Sequence, residues 1–153
     1  MQLHILAIGK ARAGPEKSLC ADYLKRLPFG GRLSEYESRL PEGLARQKDE
    51  SQKLLSSLPA KGSVRLVALD PKGKDISSEA LAKQISSWRE DGVSGCYFAI
   101  GGADGHDATL LAKADATLSF GRAIWPHMLF RVMLAEQLYR AEMILKQHPY
   151  HRG

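Results

Sequence analysis

LSFGRAIWPHMLFRVMLAEQLYRAEMILKQHPYHRG, residues 118–153, combines a short strand, a glycine turn and one long helix. The strand runs over 116–120, and the helix opens at Pro126-His127. Its apolar side chains lie on nearly every side instead of in one stripe, so the helix must be buried, either across the centre of the domain or against a second subunit. Its few polar groups are therefore candidates for function: Arg131, Glu136, Gln137 and Arg140.

Length and composition limit the class of protein. At 153 residues, the chain is long enough for a single domain, residues 1–153, with a substantial core. Cys20 and Cys96 lie in apolar stretches without metal-ligand spacing, and the N-terminus lacks a charged leader. We therefore expect a reduced, cytoplasmic protein with no metal site and no membrane span. The net charge of +5 is compatible with RNA or another polyanion as a partner.

Upstream of residue 118, strands alternate with helices. Apolar runs predict buried strands at 2–9, 63–69, 95–100 and 116–120, and a more polar run predicts an edge strand at 32–38. Helical spacing and turn signals predict helices over 16–26, 41–57, 77–90 and 106–113. This order predicts a three-layer α/β domain with a mostly parallel sheet of about five or six strands.

Three strand ends carry loops suited to a ligand, which in an open α/β sheet binds beyond the carboxyl ends of the strands. They are Leu69-Asp70-Pro71, Ile100-Gly101-Gly102 and residues 120–125. Glycines let a ligand approach the backbone, although the GG-x-x-G at 101–105 is equally compatible with a structural turn. The chain has no G-x-G-x-x-G fingerprint, phosphate loop, H-E-x-x-H or G-x-S-x-G motif. It therefore lacks the usual signatures of dinucleotide-binding proteins, phosphate-loop nucleotide-binding proteins, zinc proteases and α/β hydrolases.

Five motifs, in this order and spacing, carry a resemblance that covers nearly the whole chain. They are LHILAIGK (3–10), V-x-L-D-x-x-G-K (67–74), AIGGADG (99–105), the segment from LSFGRAIWPH to LYRA (118–141) and HPYHR (148–152). Together they resemble the bacterial RlmH-type pseudouridine methyltransferases of the SPOUT class, which act on large-subunit ribosomal RNA.

The resemblance implies a fold, a reaction and partners. The implied fold has a deep trefoil knot near the C-terminus and forms a homodimer, and the implied cofactor is S-adenosylmethionine. The implied reaction is N3-methylation of a pseudouridine in helix 69 of 23S rRNA, on assembled 70S ribosomes. The alternatives are a SPOUT methyltransferase for another RNA, a non-catalytic RNA-binding protein, and a metal-independent ribonuclease that uses His148 and His151.

The resemblance also implies a donor site at the three strand ends. Its predicted cofactor-binding residues are Leu69, Gly101, Gly102, Phe120, Gly121, Arg122, Ala123, Ile124 and Trp125. Gly121 and Ile124 stand where the resembled family often has Ser and Thr. Without those hydroxyls, we expect backbone amides and carbonyls to bind the donor.

The predicted catalytic and substrate-binding residues lie in the last helix and in the tail. Methylation at N3 requires a proton acceptor, for which His151 is the first candidate and Tyr150 and His127 are alternatives. Arg152 completes the predicted catalytic set, and the tail of one subunit is predicted to complete the donor pocket of the other. The predicted substrate-binding residues are His127, Arg131, Glu136, Tyr139, Arg140 and His148.

Each of these residues also has a structural interpretation. Arg131, Glu136 and Arg140 suit a buried ion network at a dimer interface, and Tyr139 suits the core. His127 would then serve only as the start of a helix, and the tail would be a frayed end.

Overall fold

The computed structural model describes residues 1–151. Its strands are β1 (Gln2–Ile8), β2 (Gly31–Tyr36), β3 (Val64–Asp75), β4 (Gly95–Ile100) and β5 (Ala116–Ser119). They form one sheet in the order β2-β1-β4-β3-β5, and every neighbouring pair is parallel. The predicted parallel α/β architecture is therefore confirmed, with the polar strand β2 at a sheet edge.

Helices cover both faces of the sheet. They are α1 (Pro15–Lys25), α2 (Leu44–Ser56), α3 (Ser78–Glu90), α4 (Ala108–Lys113) and α5 (His127–Leu145). One face packs against α1, α3 and α5, and the other packs against α2 and α4. Because side chains alternate along a strand, β1 sends Leu3 and Ile5 into the first core and Leu6 and Ile8 into the second.

Helix α5 is buried along much of its length, as its apolar composition predicts. Leu134 and Leu138 are fully enclosed, and α5 packs between α1 and α3. It also carries two buried charges, Arg131 and Glu142. No helix within residues 1–151 is both long enough and apolar enough to cross a membrane.

Strand β3 is longer than predicted, because the apolar run in the sequence predicts a strand that ends at residue 69. The strand instead bulges outward after Leu69 and returns at Lys74, so that both residues pair with Leu118 of β5. The returning backbone lies so close to β5 that a Cβ on Gly73 would sit 2.7 Å from the carbonyl carbon of Leu118. Only glycine fits this approach, and the bulge turns Asp70 and Pro71 toward the carboxyl ends of the neighbouring strands.

Candidate functional site

A cavity of ≈ 310 Å³ lies where the carboxyl ends of β3, β4 and β5 meet. The three strand ends that the sequence singled out all contribute to its wall. Its lining residues are Leu69, Asp70, Pro71, Ile100, Gly101, Gly102, Ala103, Gly105, Leu118, Ser119, Phe120, Gly121, Ala123, Ile124, Trp125, His127 and Phe130. The wall is therefore mostly apolar and rich in glycine.

The structure brings together eight of the nine residues predicted to bind a cofactor. Leu69, Gly101, Gly102, Phe120, Gly121, Ala123, Ile124 and Trp125 line the cavity. Arg122 is exposed and is not among the lining residues. Asp70 and Pro71 belong to a strand end that was predicted to face a ligand, but they were not among the predicted cofactor-binding residues, and Ser119 and Phe130 were assigned no role.

One wall of the cavity is the β4–α4 loop, residues 101–107. A Cβ on Gly101 would lie 3.0 Å from the carbonyl carbon of Gly105, and one on Gly102 would lie 2.5 Å from Glu50 Oε2. Gly105 has φ +71 and donates its backbone N–H to the Gly102 oxygen at 3.0 Å. The glycines therefore let the loop fold tightly on itself and on α2 while its backbone faces the cavity.

The other wall is the β5–α5 segment, residues 120–126. Ile124 is 93% exposed and Trp125 is 38% exposed. Gly121 has φ +89, a left-handed conformation that glycine adopts without strain, and its carbonyl accepts a hydrogen bond from Ser119 Oγ at 2.9 Å. The glycine at this position thus suits the turn that leads from β5 toward α5.

Two titratable side chains line the cavity within the described part of the chain, Asp70 and His127. Asp70 Oδ1 accepts the backbone N–H of Lys72 at 2.8 Å, which holds the bulge of β3. His127 is exposed as a residue, but partial desolvation of its ring, assisted by the nearby positive charge of Arg131, lowers the pKa of the imidazole below its ordinary value. The imidazole is therefore neutral at neutral pH and can accept a proton.

Arg131 lies beneath the surface, with 2% of its side chain exposed. Its Nη1 donates to Glu35 Oε1 at 2.6 Å, and its Nη2 donates to the carbonyls of Ile8 and Gly9 at 2.8 and 2.7 Å. One of these carbonyls ends β1 and the other directly follows it, so the guanidinium caps the end of the strand. The contacts favour the structural interpretation of Arg131 over direct contact with a substrate.

Glu136, Tyr139 and Arg140 form a second cluster on α5, and none of them lines the cavity. Arg140 Nε donates to Glu136 Oε1 at 2.9 Å, and the Tyr150 hydroxyl donates to the same oxygen at 3.0 Å. Tyr139 packs edge-on against Tyr150, with ring centroids 4.9 Å apart. The tail therefore folds back onto α5 of its own chain.

Tyr150 and His151 of the predicted catalytic set thus lie outside the cavity of their own chain. His151 Nε2 lies 2.9 Å from Glu79 Oε1 at the start of α3, and His148 is exposed. Burial and hydrogen bonds with Tyr23 and Glu136 raise the pKa of Tyr150, so its hydroxyl stays protonated at neutral pH. Arg152 lies outside the described residues. Among residues 1–151, no group of three His, Cys, Asp or Glu side chains is arranged to hold a metal ion.

Comparisons with known proteins extend over the whole described chain. A family model described as "Predicted SPOUT methyltransferase" matches residues 1–151. The chain is also similar to proteins named ribosomal RNA large subunit methyltransferase H. It is 48% identical to the one from Paramagnetospirillum magneticum and 46% identical to those from Maricaulis maris and Rhizobium etli, with 99% of both chains covered in each case.

Proposed function

The chain belongs to the SPOUT methyltransferase family, and from this membership we propose that it transfers the methyl group of S-adenosylmethionine to 23S ribosomal RNA. Its relatives named for ribosomal RNA match it from end to end, which supports the class of substrate. The observation that carries the proposal is the glycine-rich cavity where β3, β4 and β5 end, because it gathers residues from all three predicted donor-binding loops.

The residues of this cavity fit such a donor. Its volume of ≈ 310 Å³ falls at the lower end of the range of small-molecule sites, about 300–1,000 Å³. Gly101 and Gly102 expose backbone groups for hydrogen bonds, and Leu69 and Trp125 offer apolar surface to an adenine ring. The donor supplies an electrophilic methyl group on a sulfonium, so the main task of the protein is to hold donor and acceptor in line.

We propose N3 of a pseudouridine in helix 69 as the acceptor, on assembled 70S ribosomes and therefore in the cytoplasm. The N3 imide is a poor nucleophile until it loses its proton, and a positioned base typically contributes about 10² to 10⁴ in rate. His127 is suited to this step, because it lines the cavity and is neutral at neutral pH. Arg140 and His148 remain candidates for contacts with the RNA.

We propose that the working form is a homodimer. The β5–α5 segment presents Ile124 and Trp125 beside the cavity, and Leu129 on the first turn of α5 is 41% exposed. A second copy would cover this apolar surface. It would also bring its tail, with His151, Tyr150 and Arg152, to the cavity, whereas Tyr150 and His151 do not line the cavity of their own chain.

The proposal is tested first by calorimetry with S-adenosylmethionine, and then with 70S ribosomes that lack the modification. We expect binding, and a gain of one methyl mass in the helix 69 fragment by mass spectrometry. Binding without methylation of helix 69 would move the substrate to another RNA. No binding would contradict the transferase function and favour an RNA-binding protein or, if the RNA is cut, a nuclease.

Sharing of the site between subunits is tested with mixed dimers. One chain carries His151→Ala and the other carries Gly101→Val, which blocks its donor cavity. If tails are shared, each mixed dimer has one cavity free of both changes and regains up to half of the wild-type rate. No recovery above the two single-variant homodimers would contradict sharing.

A further inference from the structure

We infer that helix α2, which does not line the cavity, positions the donor-binding β4–α4 loop, and that Arg46 and Gln47 are positioning residues for the methyl donor. The inference rests on the proposed function of the cavity. It is drawn from polar contacts that join the first turns of α2 to residues 104–107, and from the close approach of Glu50 to Gly102. The catalytic proposal does not use these contacts.

Gln47 holds the loop through its backbone. Its Nε2 donates to the carbonyl of Asp104 at 2.7 Å and to that of His106 at 3.2 Å. These two carbonyls lie on either side of Gly105, which lines the cavity. One amide group therefore fixes the path of the chain on both sides of a glycine that has little conformational preference of its own.

Arg46 holds the same loop through a side chain. Its Nε and Nη2 both lie 3.0 Å from Asp104 Oδ2, and the Arg46 side chain is only 18% exposed. Partial burial and two donors make this pair stronger than an ordinary surface ion pair. Farther along α2, Ser51 Oγ accepts the backbone N–H of Asp107 at 2.9 Å. Through these three side chains, the helix contacts Asp104, His106 and Asp107 of the loop.

Glu50 supplies the steric part of the support. Glu50 is only 5% exposed, and its Oε2 occupies the space that a Cβ of Gly102 would need. Within the described chain, Oε2 has no hydrogen-bond partner. Gly102 therefore has the cavity on one side and a buried carboxyl of α2 on the other, so a shift of α2 moves the wall of the cavity.

The physical consequence concerns the cost of binding. A loop that is already fixed loses little conformational entropy when a ligand contacts its backbone. Without the Gln47 amide, two carbonyls must bond to water, and the loop samples conformations that do not fit the donor. Donor affinity should fall, while methyl transfer from the bound donor should change little.

The experiment compares Gln47→Ala with Gln52→Ala in the full chain. Gln52 lies on the same helix but is exposed, and its amide donates to Ser56 Oγ at 3.0 Å, away from the loop. We expect Gln47→Ala to raise the Kd and KM for S-adenosylmethionine about tenfold with kcat nearly unchanged, because two hydrogen bonds are lost. Gln52→Ala should change neither constant.

A second variant, Asp104→Asn, guards against a general folding defect. It changes one side chain of the loop, weakens the Arg46 pair and keeps the backbone carbonyl that Gln47 holds. We expect about a threefold rise in Kd together with faster hydrogen exchange at the Gly105 amide, while the melting temperature stays near that of the wild type.

The outcomes separate the two proposals. If the wild type binds S-adenosylmethionine and both variants bind it equally well, the positioning role is wrong and the proposed function stands. A fall in kcat at unchanged KM would also contradict the positioning role. If the wild type itself does not bind, the proposed function fails, and the inference that rests on it fails too.

Discussion

The two walls of the cavity are built in different ways. The β4–α4 loop is fixed by its own chain, since Arg46, Gln47 and Glu50 contact it from behind. The β5–α5 segment is exposed instead, with Ile124 93% accessible. The β4–α4 loop is thus fully supported within a single chain. The β5–α5 segment and the neighbouring His127 instead present an apolar surface and a neutral imidazole to solvent. We propose that the loop binds the donor through its backbone, and that the segment shares in donor binding through Trp125 and also faces the acceptor and a second subunit.

The largest effect is expected at His127, on the exposed wall. His127→Gln should lower the single-turnover methylation rate by about 10² or more and leave the Kd for the donor nearly unchanged. In the wild type the rate should rise with pH up to the lowered pKa of His127, which lies below 6.5, and then level off, because only the neutral imidazole accepts a proton. The variant should lose this acidic limb.

The matched control is His4→Gln, since His4 stacks on Tyr97 at the far end of β1. It should keep both the rate and the pH profile. A full rate in His127→Gln would assign the proton to another group, and His151 of a second subunit would then be the first candidate.

A smaller effect is expected on the fixed wall. Gly102→Ala places a methyl group 2.5 Å from Glu50 Oε2 and 3.0 Å from Ile8 Cγ2, so the loop or the buried Glu50 carboxylate must shift, and the Kd for S-adenosylmethionine should rise about 10-fold. Adding Glu50→Ala removes the contact with the carboxylate and should restore part of the affinity. The recovery should be incomplete, because the close contact with Ile8 Cγ2 at 3.0 Å remains. Calorimetry on the single and double variants measures both effects. No recovery in the double variant would show that α2 does not set the position of Gly102.

A charge placed on the exposed β5–α5 segment should weaken self-association only if a second copy of the chain covers that segment. Ile124→Glu should weaken self-association about tenfold, since a carboxylate would be buried in an apolar contact. Phe29→Glu is the control, because Phe29 is 55% exposed at the opposite end of the sheet. Sedimentation equilibrium measures both variants. Equal dimer dissociation constants for Ile124→Glu and the wild type would show that this segment is not part of the dimer interface.

The smallest effect is expected on stability, from removal of the charge of Glu50, which packs against the β4–α4 loop. Burial raises the pKa of Glu50, despite the nearby Arg46 that lowers it. The native state then holds the proton more tightly than the unfolded state, so wild-type stability falls as pH rises from about 4.5 through the raised pKa. Glu50→Gln avoids this loss and should be more stable at pH 7 by less than about 1 kcal/mol, with no gain near pH 4.

Urea unfolding at the two pH values measures this difference. Glu42→Gln is the matched control, because Glu42 also pairs with Arg46 but is 82% exposed. A Glu50→Gln variant that is less stable than the wild type at pH 7 would show that the pair with Arg46 outweighs the cost of burial.

Much of the fold could be predicted because its signals are local. Nearly continuous apolar runs mark β1, β3 and β4, and a polar run marks β2 at the edge. The extension of β3 beyond Leu69 could not be predicted in this way. It depends on the pairing of Lys74 with Leu118, a contact between backbones that leaves no period in the sequence.

The site shows the same division. Glycines after apolar strands located the cavity, since a parallel sheet brings the carboxyl ends of its strands together. The hydrogen bonds from Gln47 to the loop could not be predicted. In the sequence, a glutamine that bonds to a neighbouring loop looks the same as a glutamine that is exposed to solvent on a charged helix. The polar groups of α5 were noticed, but only the fold shows that Arg131 bonds to Ile8 and Gly9.

The strand order also bears on how the chain reaches its native state. Strand β1 lies between β2 and β4, and Leu3 pairs with Cys96. Such distant pairing raises the contact order, and loops must close before these contacts stabilise anything, so folding should be slow for a domain of this size. During synthesis, one edge of the apolar N-terminal strand waits unpaired until residues 95–100 emerge. This nascent strand is where a chaperone would be needed first.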